Sequence, residues 1–96
     1  MINRTVLIKF SETTTKEQLQ EVITRFKALH SLTGIVEIHA GLNLQEKSKE
    51  YQVVLSVRFE NDEALQHYIS NPEHQAVASF IKEVGRIDSI GVDIEI

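Results

Sequence analysis

A tyrosine and a histidine flank the only proline of the chain, and this pair has the side chains best suited to chemistry. Tyr68 precedes Pro72 by four residues, and His74 follows it by two. A phenol can donate a hydrogen bond, and a neutral imidazole can accept a proton. The pair therefore predicts a hydrogen-bonding tyrosine beside an imidazole base at the mouth of a pocket.

The residues around Pro72 predict a break between two helices. Pro72 cannot continue the helix before it, and it favours an extended conformation at Asn71. Asn71 can then cap a new helix with Pro72 at its first position. His74 falls in the first turn, where the helix dipole disfavours imidazolium, so we expect a neutral ring near pH 7.

A structural role for the same two residues competes with the chemical one. Tyr68 could pack against the core with its hydroxyl at the rim, and His74 could hydrogen-bond the preceding loop and hold the helix break. An enclosed cavity that reaches His74 would favour ligand binding or catalysis, whereas a filled core under Tyr68 would favour the structural role.

Periodicity along the chain predicts the element order βαββααβ. A capping box over Thr14–Glu17 starts the first helix, and Asn61 caps the second. Leu42–Glu50 is polar and predicts a loop. The strands are predicted at Asn3–Phe10, Ile35–Ala40, Tyr51–Glu60 and Ile87–Ile96. Four strands with helices on one face make an α+β ferredoxin-like sandwich with a four-stranded antiparallel sheet.

A second apolar row predicts that the other face of this sheet is also covered. Leu7, Val54, Ile35 and Ile87 have the opposite parity from the main apolar rows, so their burial requires a second sheet. In the last strand Ile90, Val92, Ile94 and Ile96 share one face. Asp93 has the opposite parity and is predicted to point toward the second sheet.

Composition excludes several classes of protein. The formal charge of −4 argues against nucleic acid as a partner, and no apolar run reaches the ~20 residues of a membrane span. With no cysteine and four scattered histidines, we expect neither a metal nor another cofactor. Glu37 and His39 share a strand face but lack a third ligand. We expect one domain over residues 1–96 and a cytoplasmic location.

Several segments in order resemble the stress-responsive α/β-barrel (Dabb) family. The segment Tyr68–His74 is similar to that family's YxxxPxH region, and Arg4–Phe10 resembles its first strand, an aliphatic run that ends in Lys-Phe. Gly41 follows a strand and precedes a loop, as in the family. Tyr51–Glu60 and the Val92-Asp93 pair resemble its third and closing strands.

The resemblance implies a homodimer in which two sheets form a shared α/β barrel, and it leaves the biochemical role undetermined. It also implies a site for a small apolar or aromatic ligand between helices and sheet, lined by Tyr68 and His74. We expect Arg4 to be a third ligand-binding residue. The alternative that it implies is a cofactor-free enzyme, polyketide-cyclase-like or monooxygenase-like. In the cyclases the residue matching His74 is the proposed base that removes a proton next to a carbonyl, and the residue matching Tyr68 positions the substrate.

This chain departs from the cyclases at two positions. Arg4 stands where many members have a histidine, and Val53 stands near a cyclase histidine of strand three. A pocket with several imidazoles is therefore not expected. Arg4 is predicted to pair with a carboxylate, either Asp93 or one carried by a ligand.

Overall fold

The computed structural model describes residues 1–96 and contains four strands and three helices in the predicted order. None of the helices has the length and apolar character needed to cross a membrane. The strands are β1 (Ile2–Phe10), β2 (Ile35–Leu42), β3 (Val53–Phe59) and β4 (Arg86–Glu95), and the helices are α1 (Lys16–Lys27), α2 (Asp62–Ser70) and α3 (Pro72–Glu83). Two short 3-10 segments, Ala28–Ser31 and Glu46–Ser48, complete the chain.

The strands form one antiparallel sheet in the order β2-β3-β1-β4, with the three helices on one face. This is the predicted α+β ferredoxin-like fold. The core lies between the helices and the sheet, where alternate residues of β3 are at most 3% exposed. These are Val53, Leu55, Val57 and Phe59, and they confirm the alternation in the sequence.

Strand β3 begins two residues later than predicted because a side chain replaces the backbone ladder at Gln52. The backbone N–H of Phe10 donates to Oε1 of Gln52 at 2.8 Å, and Nε2 of Gln52 donates to the Phe10 carbonyl at 3.3 Å. Strand β2, in turn, extends to Leu42, two residues beyond its predicted end at Ala40 and one residue into the predicted loop.

The capping box of α1 lies one residue later than predicted. Thr15, and not Thr14, is the N-cap, and its backbone and side chain exchange hydrogen bonds with Gln18 at 2.8 and 3.1 Å. Thr14 instead donates its hydroxyl to the Val84 carbonyl at 2.6 Å. This bond ties the start of α1 to the end of α3, which explains why a second threonine precedes the cap.

The prediction for Asp93 was wrong. Asp93 pairs with Arg4 across the β1–β4 ladder, so both side chains lie on the helix side of the sheet. The prediction failed because the apolar residues of β4 were taken to face the helices, whereas the pairing of β4 with β1 places them on the opposite face.

The open face of the sheet carries a patch of apolar side chains, hereafter the open-face patch. Leu7 pairs with Val54 on one side and with Ile90 on the other. The prediction that Ile35 lies on this open face was wrong, because Ile35 packs against the core beside Phe59. The members of the patch in β4 are 45–58% exposed, and the whole set is Leu7, Val54, Ile90, Val92 and Ile94.

Candidate ligand-binding site

A single residue joins α2 to α3 and fixes the positions of Tyr68 and His74. The backbone N–H of Asn71 donates to the Tyr68 carbonyl at 3.2 Å, and its side-chain oxygen accepts from the Glu73 N–H at 2.8 Å. Asn71 thus ends α2 and caps α3, with Pro72 at the first position of α3, as predicted.

A cavity of about 170 Å³ lies between the helices and strands β1 and β4. An engineered apolar cavity of about 150 Å³ accepts benzene, so the volume here suits a molecule with one aromatic ring. The cavity brings together all three predicted site residues. Its lining consists of Arg4, Val6, Ile8, Phe26, Leu55, Tyr68, His74, Ala78, Ile81, Arg86 and Ser89.

The cavity exists because two of the β4 residues that face the helices, Ser89 and Gly91, have small side chains. Ser89 pairs with Ile8, and Gly91 pairs with Val6, so little volume projects from β4 toward Ala78 on α3. A Cβ atom at Gly91 would meet only the Val6 side chain, at 3.8 Å. The space above this rung is therefore open.

Tyr68 is buried, but its hydroxyl is not satisfied. The residue is 3% exposed, and its ring makes an edge contact with Phe59 at 5.1 Å between centroids. The hydroxyl oxygen is inaccessible and has no hydrogen-bond partner. Burial raises the pKa of Tyr68 to about 12, partly offset by the charge of Arg4. The phenol is therefore a proton-bearing donor near neutral pH.

His74 lies against Tyr68, with 4.2 Å between ring centroids and 42° between the planes. Its Nδ1 is 3.4 Å from the Ile69 carbonyl, which can only accept, so Nδ1 carries the hydrogen and Nε2 keeps its lone pair. Burial lowers the pKa of His74, the Ile69 carbonyl opposes that shift, and Arg4 adds to it. The contact with Ile69 is also the hydrogen bond that a purely structural role of His74 requires. The structural role and the chemical role of His74 therefore both stay predictions.

Arg4 forms the predicted pair with Asp93. Its Nε and Nη2 donate to the two carboxylate oxygens at 2.8 and 3.0 Å, a bidentate arrangement. The hydrogen bond from Arg4 lowers the pKa of Asp93 despite partial desolvation. The pair is therefore ionised on both sides and nearly neutral in sum.

The family model for the stress-responsive A/B barrel domain, Dabb, matches residues 2–96. The chain belongs to the Dabb family. No curated protein matches it at a significant level.

Solved structures share the fold of this Dabb chain over nearly its whole length. A dimeric ferredoxin-like protein of unknown function from Bacteroides fragilis is 25% identical, with a TM-score of 0.82, and the match covers 99% of this chain and 95% of that one. Another dimeric ferredoxin-like protein, from Thermobifida fusca, is 20% identical with a TM-score of 0.87, over 99% and 90%. A hydroxynitrile lyase from Passiflora edulis is 10% identical with a TM-score of 0.81, over 97% and 90%.

A second polar cluster of this Dabb chain lies on the open face of the sheet. Nε2 of His39 and Oε1 of Glu37 are 2.6 Å apart, and Nη1 of Arg58 is 3.5 Å from the other oxygen of Glu37. The hydrogen bond to His39, helped by Arg58, lowers the pKa of Glu37. No third metal-ligating side chain joins this pair.

Sequence reasoning missed two polar residues of the cavity, Arg86 and Ser89. A pattern that could have found Ser89 is present in β4. From Ser89 to Ile94 the residues of one parity are apolar, and those of the other parity are small or polar: Ser89, Gly91 and Asp93. Small side chains on the helix-facing side of an edge strand leave room for a ligand. Which residues lie on that side, however, can be decided only when the pairing of the strand with its neighbour is known.

Proposed function

We propose that this Dabb protein is a homodimer that binds a small apolar or aromatic molecule in the cavity between helices and sheet. The observation that carries the ligand site is the Tyr68 hydroxyl. A buried hydroxyl without a partner costs about 1–3 kcal/mol. Because Tyr68 lines a cavity of about 170 Å³, a ligand oxygen that reaches the hydroxyl and accepts its hydrogen would satisfy it.

The surroundings of Tyr68 support an apolar ligand body. Seven of the eleven lining residues are hydrophobic, among them Val6, Ile8, Leu55 and Ile81. Pockets for small molecules commonly combine such walls with a few polar groups that orient the ligand.

The open-face patch supports the homodimer. Val92 and Ile94 are 57% and 58% exposed, and they lie on the same face as Ile90, which continues the row of Leu7 and Val54. A contiguous apolar surface of this kind marks an interaction site. A second copy of the sheet is the occupant that the dimeric neighbours suggest.

Tyr68→Phe tests the ligand site. We expect the free energy of unfolding to rise by about 1 kcal/mol, because the unpaired hydroxyl is removed, while the affinity for small aromatic ketones falls at least about fivefold. Urea unfolding and a titration with 4-hydroxyacetophenone, followed by NMR, measure the two quantities.

Gly91→Leu and Gly91→Ala provide the matched pair for this test. Gly91 has no positive φ, so either side chain fits its backbone. The leucine would fill the space above Val6 and abolish binding, whereas the alanine would leave most of the cavity free. Unchanged binding in Gly91→Leu, or a loss of stability in Tyr68→Phe, would contradict the proposal.

His74 favours a second candidate, a cofactor-free enzyme that removes a proton next to a carbonyl. The ring of His74, whose Nε2 keeps a lone pair, lies against the ring of Tyr68, with 4.2 Å between the two ring centroids, and the Tyr68 hydroxyl is the donor that would bind the carbonyl oxygen. Tyr68 would hold the carbonyl and stabilise the enolate oxygen, and His74 would take the proton. This proton removal is the acid–base step of the cyclase-like or monooxygenase-like alternative.

Exchange of the methyl protons of 4-hydroxyacetophenone with D₂O measures this proton removal. A base must be neutral, and the pKa of His74 is lowered, so we expect full catalysis through neutral pH and its loss as the pH falls below 6.5 through the folded-state pKa. His74→Gln should abolish the effect, and the exposed His67→Gln should not. Equal exchange with His74→Gln would rule out His74 as the base.

The single-domain organisation and the cytoplasmic location stay predictions. The first is supported by the core, in which 15 buried residues form one cluster between the sheet and the helices.

A further inference from the structure

We infer that the ligand is a small organic acid whose anionic group binds Arg86 at the mouth of the cavity. This inference rests on the proposed ligand-binding function and specifies the chemical class of the ligand.

The cavity has a charge opposite to that of the chain. The protein has 14 acidic and 10 basic residues, giving a formal charge of −4. Among the eleven residues that line the cavity, however, none is acidic. Three are basic, and since Arg4 is paired with Asp93 and the pKa of His74 is lowered by burial, the positive charge of the lining is that of Arg86. A positive site on an acidic protein favours an anion locally, because nearby charges dominate the potential inside a cleft with apolar walls.

Of the two arginines that line the cavity, Arg86 is the one whose guanidinium can pair with a ligand. Arg4 is held by both oxygens of Asp93, at 2.8 and 3.0 Å. Arg86 forms no ion pair and no side-chain hydrogen bond. Its near neighbour Asp88 accepts a hydrogen bond from the Tyr51 hydroxyl at 2.7 Å instead.

The positions of these residues also orient the ligand. Arg86 pairs with Phe10 at one end of β1, and Arg4 lies six residues away near the other end. Arg86 is exposed, whereas Tyr68 is buried. An acid would therefore place its carboxylate in the fork of the Arg86 guanidinium and its apolar body inside, among Val6 and Ile8.

Phenylacetate and phenylacetamide form a matched pair of probes, since they differ in charge and hardly in shape. We expect wild-type protein to bind the acid at least about tenfold more tightly than the amide, as for a charge-assisted hydrogen bond. Arg86→Gln should remove that preference. Arg25→Gln changes the net charge equally at an exposed site on α1, where Arg25 stacks on Phe80, and should retain it. NMR titration measures both constants.

The outcomes separate this inference from the function on which it rests. Equal binding of acid and amide to wild-type protein would overturn the inference and leave the cavity as a site for neutral molecules. A preference for the acid that persists in Arg86→Gln would overturn the role of Arg86. If wild-type protein binds neither probe, the ligand site itself is contradicted. Loss of binding is expected only in Gly91→Leu.

Discussion

Val92→Asp is expected to convert the protein from a dimer to a monomer. Val92 is 57% exposed in the isolated chain, so the aspartate does not disturb the monomer fold. In a two-fold symmetric dimer built through the open-face patch, both copies of the charge would be buried without partners. The dissociation constant should rise more than about 100-fold. Light scattering during size-exclusion chromatography measures the mass against the 10.9 kDa of one chain.

Leu44→Asp is the matched control for that variant. Leu44 is 94% exposed, lies between β2 and β3, and is not part of the sheet. This variant should remain a dimer. A wild-type protein that is monomeric at micromolar concentration, or a Val92→Asp protein that stays dimeric, would remove the open-face patch as the interface.

Phe59→Ala is expected to lower the free energy of unfolding by about 3–5 kcal/mol. Phe59 is fully buried and supports the ring of Tyr68 by an edge contact at 5.1 Å. A domain of this size has roughly 5–10 kcal/mol of stability, so this loss leaves little margin. Urea unfolding of the variant measures the effect.

Phe80→Ala gives the corresponding measurement for a phenylalanine outside the buried cluster. Phe80 is half-buried on α3, with the Arg25 guanidinium 3.7 Å above its ring centroid. The substitution removes less buried apolar area there, so the expected decrease in the free energy of unfolding is well below that of Phe59→Ala. Equal losses in the two variants would contradict the position of Phe59 at the centre of the core.

The fold could be predicted because its determinants are local. The alternation of β3 fixes which of its residues are buried, and Asn71 with Pro72 fixes the break between two helices. The frame of the first cap could not be predicted, because Thr14 and Thr15 both satisfy the local pattern. The choice depends on a bond from Thr14 to Val84, which is 70 residues away.

The candidate site could be predicted only in part, because some of its residues are brought together by contacts between segments that are distant in sequence. Tyr68 and His74 lie close in sequence, and the helix break at Asn71 and Pro72 lies between them, with 4.2 Å between their ring centroids. Arg86 and Ser89 reach the cavity through the pairing of β4 with β1. Strand β4 is an edge strand in which, from Ser89 to Ile94, small or polar residues alternate with apolar ones, so its pattern alone does not say which face meets the helices.

The shared residue Asn71 has a consequence for the entropy of binding. Since the backbone N–H of Asn71 ends α2 and its side chain caps α3, the two rings on either side are held by a corner of a few hydrogen-bonded residues and not by a long loop. A ligand then meets side chains whose relative positions are already set, and little of its interaction energy is lost in ordering them. A cavity of about 170 Å³ offers few contacts, and this preorganisation preserves most of what they provide.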